Sequence, residues 1–106
     1  MGKKRCLSLG KHARKVKIDF AKTFIKQHKK TPNKIQEAWE KRLELFLKDQ
    51  FYPLLNNHQL AGEYKGHRSI NITGDWRAIF IELLDKEGNK VTLFKFIGTH
   101  NQLYKR

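Results

Sequence analysis

Arg68-Ser69-Ile70-Asn71-Ile72-Thr73-Gly74-Asp75-Trp76-Arg77-Ala78-Ile79-Phe80-Ile81-Glu82-Leu83-Leu84 is the stretch that sets the architecture. Its first five residues alternate polar and apolar, the period of a half-buried strand. Thr73-Gly74-Asp75 is a turn signal, and Trp76 to Leu84 reads as the returning strand. Asp85-Lys86-Glu87-Gly88-Asn89 follows as a hairpin connection, with a glycine available for a positive φ. Val91 to Ile97 forms the last strand; it is apolar on both faces and so is expected to lie centrally in the sheet.

Upstream, the period changes. Lys15-Val16-Lys17-Ile18 alternates as a short strand. Asp19 is placed to cap a helix whose inner face is Phe20, Phe24, Ile25 and His28 and whose outer face is Lys22, Lys26, Lys29 and Lys30. Thr31-Pro32 is a stop-and-restart signal, with threonine as N-cap and proline in the first helical position. Ile35, Ala38, Trp39, Leu43, Phe46 and Leu47 then recur at the helical spacing to about Lys48. Residues 49–62 contain Pro53 and Asn56-Asn57 and are expected to form an ordered loop. Two helices followed by an antiparallel meander make an α+β domain, with the helices covering one face of the sheet. Residues 13–106 are read as this single domain and residues 1–12 as a flexible basic extension.

The charge is placed asymmetrically. Of a formal net charge of +13, residues 1–34 carry +11, twelve basic side chains against Asp19 alone. The rest of the chain is nearly balanced. A cationic half of this kind releases counterions from nucleic acid and steers encounter with it. No apolar run approaches the roughly 18 residues that would span a bilayer, so no membrane partner is expected. The lone Cys6 excludes an internal disulfide framework and suits a reducing cytoplasm.

Motif absences narrow the chemistry. There is no Cys-x-x-Cys pair, and His12, His28, His58, His67 and His100 fall into no metal-ligand spacing. Phosphate-binding glycine loops and nucleophile elbows are missing as well. No metal or cofactor is expected. What remains are histidines, arginines and a tyrosine in the C-terminal half. They include His100, set between Gly98-Thr99 and Tyr104 where the last strand gives way to a loop. Imidazole exchanges protons near neutral pH, with a pKa of roughly 6.5. Such groups suit metal-free RNA cleavage, in which a ribose 2′-oxygen attacks the adjacent phosphorus. A base must take the 2′-OH proton, a cation must meet the phosphorane charge, and an acid must protonate the leaving 5′-oxygen.

Four strings occur in order: His58-Gln59-Leu60-Ala61-Gly62, Tyr64-Lys65-Gly66-His67-Arg68, Asp75-Trp76-Arg77-Ala78-Ile79-Phe80 and Gly98-Thr99-His100-Asn101-Gln102-Leu103-Tyr104. Together they resemble the bacterial RelE/ParE toxin superfamily, most nearly its YafQ-like branch of messenger-RNA interferases. The resemblance runs from about Val16 to Tyr104. It implies a RelE-like fold, a small twisted antiparallel sheet packed against two N-terminal helices, and the toxin of a type II toxin–antitoxin system that cleaves mRNA on the ribosome in the cytoplasm, without metal, and is inhibited by an antitoxin protein.

Carried over residue by residue, the resemblance makes His100 the lead general acid or base. His58 assists proton transfer or phosphate contact, Asp75 orients a histidine, Arg77 contacts the scissile phosphate, and Tyr104 stacks on a base. Lys65, Arg68, Asn71 and Trp76 are the further RNA-binding candidates. Asn71 departs from the pattern, which has a histidine there; asparagine binds phosphate but transfers no proton at neutral pH. His67, four residues earlier on the same strand face, is the candidate replacement. The residues taken alone leave other readings open: Arg77 as a strand arginine paired to Asp75, Asp75 as a turn residue, His58 as a loop residue, Trp76 as partly core. At the level of function the alternatives are a ParE-like toxin that poisons DNA gyrase without cleaving RNA, and a degenerate relative that only binds RNA.

Overall fold

The computed structural model describes residues 5–8 and 15–104. Strand β1 (Arg5–Ser8) and strand β2 (Lys15–Phe20) precede helices α1 (Lys22–Lys29) and α2 (Asn33–Lys48). A 3-10 turn at Pro53–Leu55 leads to the two-residue strand β3 (His58–Gln59), and another at Gly62–Tyr64 leads to β4 (Arg68–Asn71). Strands β5 (Trp76–Leu84) and β6 (Lys90–Thr99) and the short helix α3 (His100–Tyr104) complete the chain.

The six strands form one sheet in the order β1-β2-β6-β5-β4-β3. The doubly apolar β6 lies inside the sheet, as its composition predicts. Pairing is antiparallel everywhere except between β2 and β6, which run parallel from Lys17↔Val91 to Phe20↔Phe94. The expected all-antiparallel sheet is therefore mixed: α1 and α2 cross over between β2 and the meander, so β2 enters beside β6 in the same direction. Within the segment read as a flexible extension, Arg5–Ser8 pairs antiparallel with the outer edge of β2. The other residues of that segment lie outside the described ones.

Two helix starts differ from expectation. Asp19 stays in β2, and Ala21 in extended conformation is the N-cap of α1. The amide of Ala21 remains committed to the sheet, donating to the Phe94 carbonyl at 2.9 Å. Pro32 is the N-cap of α2 rather than its first residue; the Thr31 hydroxyl donates backward to the His28 carbonyl at 2.8 Å and closes α1 instead.

The helices cover one sheet face. Phe24, Trp39 and Phe46 meet Phe80, Phe94, Ile70, Ile72, Ala78 and Ile97 in a single buried core. Trp39 stands edge-on to Phe94 with ring centroids 5.0 Å apart, and Phe46 stands edge-on to Phe80 at 5.2 Å. The β5–β6 register shifts between Ile79 and Phe80, so Ile79 faces Phe96 while Phe80 faces Phe94 and Lys95 has no opposite residue. This bulge decides which aromatic serves which face. Phe94 goes to the helix-covered core and Phe96 to the opposite face, where the candidate site lies.

Candidate nucleic-acid cleavage site

Residues directly opposite in an antiparallel ladder share a sheet face. Away from the helices, the register therefore builds two rows. His58, Ser69, Ile79 and Phe96 form one across β3, β4, β5 and β6; Asn71, Arg77 and Gly98 form the next. Helix α3 folds back onto the second row. A Cβ built on Gly98 would meet Gln102 Oε1 at 3.0 Å and Leu103 Cδ2 at 3.4 Å, so the helix rests on the glycine beside Arg77.

The geometry of α3 is encoded in four residues. The Thr99 hydroxyl accepts the Gln102 amide at 3.1 Å, and Gln102 Oε1 accepts the Thr99 amide at 2.9 Å. This is a reciprocal capping box, Thr-x-x-Gln, and it starts a helix where a loop was expected. The His100 amide donates to the Asp75 carbonyl at 3.0 Å, which ties the head of α3 to the β4–β5 turn. His100 is thus the first helical residue, exposed, with its ring 4.7 Å from that of Tyr104 one turn later.

Tyr64, to which the sequence reading gave no role, organises this end of the molecule. Its hydroxyl donates to the Leu103 carbonyl at 2.7 Å. Its ring stands edge-on to Tyr104 and to Phe96, both at 5.6 Å, and to His67 at 6.1 Å. The signal available in sequence was its place in Tyr64-Lys65-Gly66, where Gly66 adopts φ +89° and turns the chain back toward β4.

The predicted site residues fall into two groups. His58, Asn71, Arg77, His100 and Tyr104 belong to the side of the sheet opposite α1 and α2, with Asp75 exposed on its rim. Arg77 Nη1 donates to Asn71 Oδ1 at 2.6 Å, so its side-chain partner is Asn71, not Asp75. His58 is exposed, and its Nδ1 lies 2.8 Å from the Asn56 carbonyl. His67 immediately precedes β4; its Nε2 is buried without a hydrogen-bond partner, as is the hydroxyl of Ser69. Lys65 is exposed on the turn. Arg68 and Trp76 are not brought to this face. Arg68 Nε donates to Asn57 Oδ1 at 2.7 Å, with the guanidinium 5.4 Å from the Phe51 ring centroid. Trp76 packs against the core.

Among the described residues, no three His, Cys, Asp or Glu side chains converge as metal ligands, and no helix is long and apolar enough to cross a membrane. A groove of about 590 Å³ lies elsewhere, between β2, α1 and α2, lined by Phe20, Phe24, His28, Trp39 and Leu43. Its walls are mainly apolar and hold none of the residues just described. His58, Arg77 and His100 lie instead on the other side of the sheet, the side that carries α3.

Residues 13–105 match the family model described as the bacterial toxin of type II toxin–antitoxin system, YafQ. Strand β1 precedes that region. The fold is similar to the crystal structure of YafQ from E. coli strain BL21(DE3), with a TM-score of 0.66 and 22% identity over 82% of this chain and 96% of that one. In the E. coli DinJ–YafQ toxin–antitoxin complex the match has a TM-score of 0.64 and 23% identity, covering 82% and 94% of the two chains. The RelB–RelE antitoxin–toxin complex from Methanococcus jannaschii matches with a TM-score of 0.58 and 21% identity over 80% and 93%. No curated protein matches by sequence.

Proposed function

The chain belongs to the YafQ family of type II toxin–antitoxin toxins, and from that premise we propose that it is a ribosome-dependent mRNA endoribonuclease restrained by a cognate antitoxin. The observation that carries this reading is the row Asn71–Arg77–Gly98 with α3 lying on it. It sets a guanidinium beside the element that bears His100 and Tyr104.

The chemistry follows from those groups. The ribose 2′-oxygen bonds to phosphorus as the bond to the 5′-oxygen breaks, leaving a 2′,3′-cyclic phosphate and a free 5′-hydroxyl. One imidazole takes the 2′-OH proton and a second supplies the proton that the leaving oxygen needs. Among the described residues, His100 and His58 are the exposed imidazoles on this side of the sheet and are assigned those roles. Arg77 meets the charge that grows on the phosphorane oxygens, where a fixed cation acts without reorganisation. Tyr104, propped edge-on by Tyr64, offers a face on which a base can stack. Asp75 fixes the start of α3 through its carbonyl, so its positioning of His100 runs through the backbone. Lys65 adds a phosphate contact at the rim.

The antitoxin and the ribosome-bound message are the proposed partners. The toxin–antitoxin complexes of similar fold support the first. The strongly cationic N-terminal third supports the second.

The test is to map RNA 5′ ends on ribosomes after induced expression of the wild type and of His100→Ala. The wild type should generate new 5′-hydroxyl ends within ribosome-bound messages and arrest translation. The folded His100→Ala protein should lose both effects by two orders of magnitude or more, as removal of a general acid–base does. Full toxicity of the folded variant would remove His100 from the mechanism.

A further inference from the structure

Asn71 and Arg77 are a directly paired couple at the turn end of the β4–β5 hairpin, and the bond between them is short, 2.6 Å from Nη1 to Oδ1. Both side chains are half-buried. The orientation of the amide follows from the chemistry of its partner. Arginine donates through five N–H groups and accepts nothing, so Oδ1 must face the guanidinium and the Nδ2 donors must face away. Apart from that engaged oxygen, the two side chains carry only donors. The couple is itself anchored: Arg42 of α2 donates to the Asn71 carbonyl at 3.3 Å and to the Leu54 carbonyl at 3.1 Å. This holds the end of β4 to the helical layer.

We propose that Asn71 is a positioning residue that aims the Arg77 guanidinium at the scissile phosphate, a neutral acceptor chosen because it holds the cation without cancelling its charge. An aspartate would hold Arg77 as firmly but neutralise it. A histidine would hold it only while neutral; the imidazolium would oppose it. Asparagine where the resemblance would have a histidine thus offers the Arg77 cation an acceptor that does not titrate. The inference rests on the RNA-cleavage reading for its catalytic consequence. The restraint on Arg77 is independent of that reading.

The test compares Asn71→Ala, Asn71→Asp and Asn71→His with wild type. Steady-state cleavage of ribosome-bound message is followed from pH 5.5 to 8.5, with thermal unfolding and guanidinium NMR of Arg77 alongside. His58 on β3, Asp75 in the turn, His100 on α3 and Arg42 on α2 surround the couple and are common to all four proteins. Only a difference between profiles is therefore informative. In folded Asn71→Ala, kcat should fall about 10- to 100-fold with KM little changed, the penalty expected for a misplaced catalytic group. In Asn71→His the profile should gain one ionisation, lowered by the neighbouring guanidinium below the ordinary imidazole value of roughly 6.5, active above it and failing below, that wild type lacks. Asn71→Asp should keep the restrained guanidinium signal yet lose activity. Wild-type kcat in folded Asn71→Ala, or a superimposable Asn71→His profile, overturns the positioning role. If wild type cleaves nothing on the ribosome, the cleavage reading fails, and the NMR arm still decides the restraint: slowed Arg77 rotation in wild type and free rotation in Asn71→Ala sustain it, whereas equal rotation overturns it.

Discussion

Gly98 has ordinary strand geometry, so what it supplies is space rather than conformational freedom. A methyl group there would press on Gln102 Oε1, the atom that accepts the Thr99 amide in the capping box. Gly98→Ala should therefore loosen the head of α3, and Gly98→Val should push the helix off the sheet at a cost of about 1–3 kcal/mol, the range for overpacking. In thermal unfolding both variants should melt below wild type, in that order. Cleavage should fall further than stability alone explains, because His100 and Tyr104 move with the helix. A Gly98→Val protein of undiminished activity would show that α3 does not place the reacting groups. At this scale the sequence was partly legible. His100 and Tyr104 stood out through their spacing from Gly98, whereas the partner of Arg77 did not. A side chain two positions from Asp75 and six from Asn71 gives no local sign of which it reaches; the cross-strand register decides, and it selects Asn71. Arg68 was misdirected for the same reason, since one step along β4 reverses the face.

Elements join at points that titrate. Asp85 closes the β5–β6 connection by accepting the Glu87 and Asn89 amides at 2.8 and 2.9 Å. It also receives Lys17 of β2 at 2.5 Å, which fastens the parallel strand to the hairpin. The lysine ammonium, then the backbone donors, hold its carboxyl well below the usual range. On α1, burial pushes the His28 imidazole below its ordinary 6.5, opposed by Glu40. The ring is stacked on Phe24. Both folded-state values are lowered, so the unfolded chain binds protons more readily in each case and stability is lost as pH falls. His28 acts first, below about pH 6.5, and Asp85 below about pH 4. Unfolding followed against pH should show two declining stages. His28→Phe, which keeps an aromatic ring on Phe24, should flatten the upper stage, and Asp85→Asn should weaken the lower; unchanged slopes in either variant would dismiss that group. Strands β2, β4, β5 and β6 and the helices α1 and α2 were readable as elements because their periods are local; β1 and the two-residue β3, read as extension and loop, are strands only through their pairing with β2 and β4. The parallel β2–β6 pairing and the caps of α1 and α2 were not readable. A contact across some 70 residues leaves no local period, and Ala21 is drawn from the helix by a sheet hydrogen bond that only the assembled fold supplies.

For the molecule as a whole, charge and edge protection meet at the N-terminus. Lys22, Lys26, Lys29 and Lys30 are exposed along α1, and Lys3, Lys4, Arg5 and Lys11 lie in the preceding arm. Strand β1 within that arm occupies the outer edge of β2, which would otherwise offer unpaired backbone groups to another chain. The arm therefore has two separable effects, and deleting residues 1–12 should reveal both. Four cations are removed; each one that neutralises an RNA phosphate contributes about 0.7–0.9 to the slope of log affinity against log salt. Ribosome co-sedimentation between 50 and 200 mM salt should accordingly show weaker binding and a slope shallower by up to about 3–4. An intact slope would make the arm incidental to ribosome binding. Uncovering the β2 edge should meanwhile promote self-association, read as a concentration-dependent mass in light scattering. Replacing the four cations by serine separates the effects, because it removes charge while leaving backbone pairing possible. That variant should reproduce the flattened salt slope and remain as monodisperse as wild type, whereas self-association equal to that of the deletion would assign edge protection to the charges rather than to β1.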